Sequence, residues 1–318
     1  MPTLSLFAGD DAPSFEFRKS AFLRELRGDG KRYKRYCKSP IRYPGGKSLA
    51  VGLILERLPN NVDKVVSPFL GGGSVEIAIA KELDIPVIGY DIFDILVNFW
   101  QRLIDSKDEL YNALSIIAPT QENYNSIKKE LTAHWKGEIE LDNLTLARDY
   151  YFNFNLSYGP GFLGWMSKIY QDIRRYEFML NKIRTFDLDN LKVERADFES
   201  ILPKHIDDFL YLDPPYYLEG NSRMFRGIYP QRNFPIHHNG FNHIALNQLL
   251  KNHCGGFILS YNDCNAVRDM YRDFEIYEPS WQYTMGQGEI RIGKNRIERG
   301  DDTNIKQSHE LLIVGQKR

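Results

Sequence analysis

Cysteine is scarce: Cys37, Cys254 and Cys264 are the three thiols of the 318-residue chain. They are too few for a disulfide framework and fall outside any paired zinc spacing, which points to a reducing compartment. An excess of charge is missing too. The formal net charge is −1, so whole-molecule electrostatics favour neither nucleic acid nor membrane, and a polyanion must be met by local basic patches. There is no apolar run of about 18 residues, the length a membrane span needs. The opening MPTLSLFAGDDAPS carries acids where the n-region of a secretory signal needs bases. Together these absences give the expectation of a cytoplasmic protein with no membrane partner. Internal repeats and low-complexity segments are also lacking. His237, His238 and His243 have no cysteine or carboxylate at a ligand offset; they read as loop histidines, and no metal is expected.

What is present is ordinary globular composition, 42% hydrophobic and 26% charged, enough for one large domain or a core domain with an insertion. Nine bases between Arg18 and Lys38 face only Glu25 and Asp29. A solvated, partly disordered leader and a phosphate-contacting arm stand equal for this stretch. Further on, YPGGK precedes the helically spaced SLAVGLILERLP, and VDKVVSPF runs into LGGGS and the helical VEIAIAKEL. PVIGYD then ends in Asp91 ahead of ILVNFWQRLI. Strand, helix, strand, helix is the rhythm of a parallel α/β sheet. From about Asp105 to Arg184 helical stretches follow one another without a strand. NLKVERAD and DFLYLD then resume the sheet, and FILSYND, FEIYEPSW and HELLIVG close it with an antiparallel-looking end.

Between a strand and a helix, FLGGGS (Phe69 to Ser74) offers glycines that let a ligand approach backbone at a helix N-terminus. Tight packing alone uses the same turn. No Lys-Ser/Thr pair follows the glycines, which disfavours a nucleoside-triphosphate loop. Asp91 lies twenty positions past Gly71 at a strand end, where a carboxylate can accept from both ribose hydroxyls. Asp197 adds an acid after KVERA, where it can also serve as a helix N-cap. Taken together they predict a nucleoside cofactor held across the carboxyl ends of the strands.

The string FLYLDPPYY ends a buried strand in Asp213, Pro214, Pro215 and Tyr216. The prolines fix φ and remove two N–H donors, leaving the carboxylate and carbonyls as an acceptor-only rim. A nucleobase amino group brings two donors. Bonds from both to Asp213 and the Pro214 carbonyl favour a pyramidal nitrogen whose lone pair can attack a methyl group, and Tyr216 can stack on a base that has left the helix.

These residues resemble the amino-group DNA methyltransferases, particularly the Dam-type adenine-N6 enzymes, over about Ile41 to Gly315. IRYPGGK is similar to the family's N-terminal cofactor motif, PFLGGGS to its Phe-x-Gly-x-Gly motif, GYDIFDILVNFW to its ribose-binding segment and DPPY to its catalytic tetrad. FNFNLSYGPGFLG resembles the aromatic segment ahead of the catalytic strand, although Tyr158-Gly159-Pro160 departs from the usual wording. The resemblance implies a Rossmann-like sheet with an inserted helical DNA-recognition subdomain: a basic leader over 1–38, a catalytic domain over 39–104 and 186–318, and a target-recognition insert over 105–185. It implies S-adenosyl-L-methionine as cofactor, bound by Tyr43 (Trp in many relatives), Lys47 near the methionine carboxylate, Phe69, Gly71, Gly73, Ser74, Asp91, Asp197 at the adenine, and Asp213. It implies methylation of adenine N6 in double-stranded DNA, with cytosine N4 or an RNA base as the alternative within the same chemistry. A cognate restriction endonuclease is a partner it allows, and a monomer is the default for an enzyme reading a short or asymmetric site.

Duplex DNA would need basic contacts outside the pocket. One candidate is NSRMFRGIYPQRNF, with Arg223, Arg226 and Arg232 among aromatics. The other is YTMGQGEIRIGKNRIERGDDTN, with Arg291, Lys294, Arg296 and Arg299, which also reads as a solvated hairpin.

Overall fold

The computed structural model describes residues 14–30, 32–159, 161–217, 241–279 and 310–318. Seven strands form one sheet in the order β3-β2-β1-β4-β5-β7-β6. They are β1 (Val65–Ser67), β2 (Val87–Asp91), β3 (Leu191–Arg195), β4 (Phe209–Leu212), β5 (Phe257–Asn262), β6 (Glu275–Tyr277) and β7 (Glu310–Gly315). The first five run parallel, and β7 lies antiparallel between β5 and β6. Every residue of β1, β4, β5 and β7 is buried, which is why these strands read as unbroken apolar runs rather than alternating ones. The chain order reverses between β1 and β4, and a crevice opens at the carboxyl ends of strands at such a reversal.

Helices cover the sheet. Ahead of β1 come α1 (Phe15–Arg27) and α2 (Val51–Leu55); α3 (Ser74–Glu82) links β1 to β2. Between β2 and β3 run α4 (Asp94–Asp105), α5 (Lys107–Ser115), α6 (Gln121–Trp135), α7 (Asn143–Leu156) and α8 (Ile173–Arg184). The remaining α-helices among the described residues are α9 (Phe198–Ile201), α10 (His243–Asn252) and α11 (Asn265–Met270). Thr120 and Asp142 cap α6 and α7 by accepting backbone N–H groups. The last eight residues of α7, from Asp149 on, are all buried. Its Tyr151 ring stacks on Phe99 of α4 at 5.5 Å, so the helical stretch shares a core with the sheet instead of standing apart from it. None of the described helices is long and apolar enough to cross a membrane.

Two expectations are corrected. About a third of the basic leader is helix α1, Phe15–Arg27, with Phe22 and Leu26 in the core. Its bases serve the fold: Arg18 Nε donates to the Leu83 carbonyl at 2.9 Å, Lys19 Nζ to the Leu58 carbonyl, and Arg27 pairs with Glu56. Disorder is therefore wrong for residues 14–30. The helix expected from SLAVGLILERLP is confined to the five residues of α2, where the Tyr33 ring packs directly on Gly52.

Gly255 opens the way into β5, the strand beside β4. A Cβ there would stand 2.1 Å from the Asp208 carbonyl oxygen and 2.4 Å from the Asp207 carbonyl carbon, neither of which can rotate away. Gly255→Ala is expected to cost about 1–3 kcal/mol of stability, read as a lower urea midpoint at unchanged slope.

Candidate active site

A cavity of about 930 Å³, open mouth included, lies at the carboxyl ends of β1, β2 and β4. Its floor is the glycine turn between β1 and α3. Gly73 caps α3 at φ 63° and Gly71 sits at φ 48°, both in the left-handed region. A Cβ on Gly72 would come 2.5 Å from the Tyr43 Cβ. The turn is held from outside: Trp100 Nε1 donates to the Gly71 carbonyl at 3.0 Å and Ser39 Oγ to the Gly72 carbonyl at 2.6 Å. Tyr43, the wall facing the glycines, stacks on Phe154 of α7 at 5.8 Å.

Asp91 ends β2 beside this turn. One carboxylate oxygen accepts from the Gly71 N–H and the other from the Phe93 N–H, each at 3.0 Å. Burial lifts its carboxyl above the ordinary range, against those same N–H groups. Asp197 serves as the helix cap, its Oδ1 accepting from Glu199 N–H at 2.8 Å at the start of α9, and it also lines the pocket. The next residue, Phe198, packs with Phe69 at 5.6 Å and with Phe241 at 5.1 Å. All three rings line the cavity and give it an apolar side.

Behind the pocket lies a charge cluster. Lys47 Nζ sits 2.7 and 2.8 Å from the two Asp213 carboxylate oxygens and donates to the Gly45 carbonyl at 3.0 Å. The lysine side chain is 3% exposed and the aspartate 22%, so the carboxylate is the more open of the two, although both residues line the cavity. Burial works against the Lys47 charge, but Asp213 and Glu310 outweigh it and hold the ammonium above its ordinary range. Burial lifts the Asp213 carboxyl, with Lys47 opposing. Glu76 of α3 is also buried; burial pushes it up to about 7 against a 2.6 Å hydrogen bond from Ser67 Oγ.

Pro214 and Pro215 line the cavity after Asp213; Tyr216 does not. Its ring is 6% exposed, lies against Tyr261 at 6.2 Å, and has Lys47 Nζ 5.1 Å from its centroid.

Every residue expected at the cofactor therefore lines one pocket: Tyr43, Lys47, Phe69, Gly71, Gly73, Ser74, Asp91, Asp197 and Asp213. Lys47 is engaged by Asp213, however, where a methionine carboxylate was expected. Arg223, Arg226 and Arg232, with Arg291, Lys294, Arg296 and Arg299, lie outside the described residues, as do His237 and His238. His243 opens helix α10, with its ring against Phe241, Tyr217 and Tyr261, so it is a packed helix residue and not a loop one. Among the described residues no group of His, Cys, Asp and Glu could hold a metal ion. Sequence reasoning missed Phe198, Phe241, Glu76 and Glu310 as neighbours of the site. Phe198 carried a signal, an aromatic directly after a strand-end acid; the other three carried none.

A family model described as D12 class N6 adenine-specific DNA methyltransferase matches residues 43–285. The chain is also similar to the modification methylase StsI of Streptococcus sanguinis, 26% identical over 201 residues. That alignment covers 59% of this chain and 30% of the relative, so the chain spans under a third of that protein's length.

Because Tyr43 is backed by Phe154, it cannot retreat from a new side chain at position 72. Gly72→Ala is expected to force the turn or the Tyr43 wall to shift and to cost about 1–3 kcal/mol of stability, read as a lower urea midpoint.

Proposed function

Since the chain belongs to the D12 class N6 adenine-specific DNA methyltransferase family, we propose that it transfers a methyl group from S-adenosyl-L-methionine to N6 of an adenine flipped out of double-stranded DNA. The observation that carries this reading is the juxtaposition of Asp213, Pro214 and Pro215 with the glycine turn, Asp91 and Asp197 in one cavity. When bound, S-adenosylmethionine supplies an electrophilic methyl group on a sulfonium centre.

The pocket's own groups suit such a nucleoside. Asp91, with both oxygens already ordered by backbone N–H groups, keeps lone pairs for ribose hydroxyls. Phe69, Phe198 and Phe241 offer apolar ring surface to a base, and Asp197 an acceptor beside them. At the catalytic end, the Asp213 carboxylate and the Pro214 carbonyl accept the two amino protons of adenine and localise the nitrogen lone pair. Lys47 keeps that carboxylate ionised against its burial. The same carboxylate stabilises positive charge growing on N6, in a site where water does not screen it. Tyr216 stacks on the base in this proposal, which requires its covered ring to be uncovered first. Base flipping costs a few kcal/mol, which we assign to phosphate contacts by Arg223, Arg226, Arg291, Lys294, Arg296 and Arg299. In the same reading residues 39–104 and 186–318 form the catalytic domain and 105–185 contribute target recognition. The name of the relative, a modification methylase, supports a role beside a cognate restriction endonuclease. An enzyme of this kind works on DNA in the cytoplasm, as a monomer.

The test is incubation with tritium-labelled S-adenosylmethionine and unmethylated duplex DNA, followed by nucleoside analysis. N6-methyladenine is expected. N4-methylcytosine would overturn the base assignment, and no incorporation together with no cofactor binding would overturn the activity. Asp213→Asn should lower turnover by about 10²–10⁴-fold, with a much smaller loss of cofactor affinity. Parent-like turnover would remove Asp213 from the chemistry.

A further inference from the structure

In the β5–β7 ladder Asn262 stands opposite Glu310, so one rung at the edge of the site carries an amide and a carboxyl side by side on the same face. Asn262 Oδ1 accepts the Tyr217 N–H at 2.8 Å and its Nδ2 donates to the Tyr217 carbonyl at 2.9 Å. One side chain thus pairs both backbone groups of the residue that follows Asp-Pro-Pro-Tyr, as a neighbouring strand would.

Glu310 is buried; both of its oxygens lie outside ordinary hydrogen-bond geometry, and among the described residues the Tyr216 side chain is the one donor directed at it. The groups facing it are Lys47 from the loop before α2, Asp213 and Tyr216 from the end of β4, and Asn262 across the ladder. The single ammonium among them is already taken by both oxygens of Asp213. An ionised Glu310 would be a buried charge without a counter-ion of its own, a state proteins avoid by neutralising the group.

We infer that the Asn262–Glu310 rung is a positioning device for the catalytic turn, Asn262 fixing the exit of the turn and Glu310, bearing its proton, leaving Lys47 to Asp213. The inference rests on the methyl-transfer reading above for its catalytic meaning. Burial pushes the Glu310 carboxyl up to about 8, with Lys47 and Tyr216 opposing. Above that pH an ionised Glu310 competes with Asp213 for the one ammonium.

The linkage has a definite sign. A carboxyl whose folded value is raised contributes stability that is complete below its unfolded value and is lost as pH rises through the folded one. Thermal midpoints of the parent and Glu310→Gln, taken over roughly pH 5 to 9, should therefore converge or cross in favour of the variant as pH rises. Parallel curves would overturn the protonated role of Glu310. Amide hydrogen exchange at Tyr217 should speed up by about tenfold or more in Asn262→Ala, less in Asn262→Asp, which keeps the acceptor; an unchanged rate would overturn the clamp.

In turnover, Asn262→Ala should lower kcat by about tenfold with KM for DNA and cofactor near parent values. Glu310→Gln should match the parent at neutral pH and outlast it above about pH 8. A rise in KM alone, or a shared alkaline decline, would overturn the positioning role. If the parent methylates no DNA at all, the proposed function fails by that result, and the midpoint and exchange measurements still decide whether the rung is built as described.

Discussion

The contact between Lys47 and Asp213 sets the terms for everything around it. Removing two charges from water costs several kcal/mol per ion, and only close geometry with further hydrogen bonds returns it. Both conditions hold, since the ammonium meets both carboxylate oxygens and also the Gly45 carbonyl. The pair ties the loop after Tyr43 to the end of β4, two segments 166 positions apart in the chain. It also decides which acid is charged. Three carboxyl groups, those of Asp213, Glu76 and Glu310, share one cation, and the two glutamates are the ones driven up to about 7 and about 8. The third, Asp213, is the one bonded to the ammonium, and it lines the cavity beside Pro214 and Pro215.

The rest of the architecture serves to hold the two ends of that contact. On the lysine side, Arg42 is pinned to α7 through its own N–H, bonded to Asn155 Oδ1 at 3.0 Å, and its guanidinium, bonded to the Asn155 carbonyl at 3.0 Å. Tyr43 follows immediately and leans on Phe154. The helical layer between β2 and β3 therefore sets one wall of the pocket even though most of it lies far from Asp213 in sequence. On the aspartate side, β4 is the central strand between β1 and β5, and the Asn262 side chain takes over the pairing where the strand ends. Rigid neighbours on both flanks give the preorganisation that a reaction site needs.

The parts legible in the sequence were those whose chemistry is local. Gly71 and Gly73 adopt the left-handed backbone that the string LGGGS suggests. Asp91 and Asp213 stand at strand ends because apolar runs stop there, and the strand-and-helix alternation carries directly into the sheet order. What escaped depends on burial and register, which no short window contains. Glu76 sits in a helix whose other positions are mostly apolar, and burial weakens its acidity even though Ser67 of the adjacent strand donates a hydrogen bond to it. Glu310 matters because antiparallel pairing sets it against Asn262. The bases of α1 looked like a free cationic arm, yet two of them, Arg18 and Lys19, donate to backbone carbonyls of neighbouring segments, which is a use of positive charge that composition cannot distinguish from phosphate binding.

The opposite environments of Asp213 and Tyr216 follow from the prolines between them. With φ fixed at two successive positions and no N–H to donate, the chain cannot continue the ladder and must turn at the edge of the sheet. The residue before the turn stays in the crevice, and the one after it is carried back against β5, where Tyr261 receives its ring. Lys47 then lies between the two, bonded to the carboxylate and close to the ring. A ring in that position steadies the ammonium by cation–π attraction, and so supports the ion pair from its far side. Moving the Tyr216 ring away from Tyr261 would therefore also withdraw that support from the ion pair.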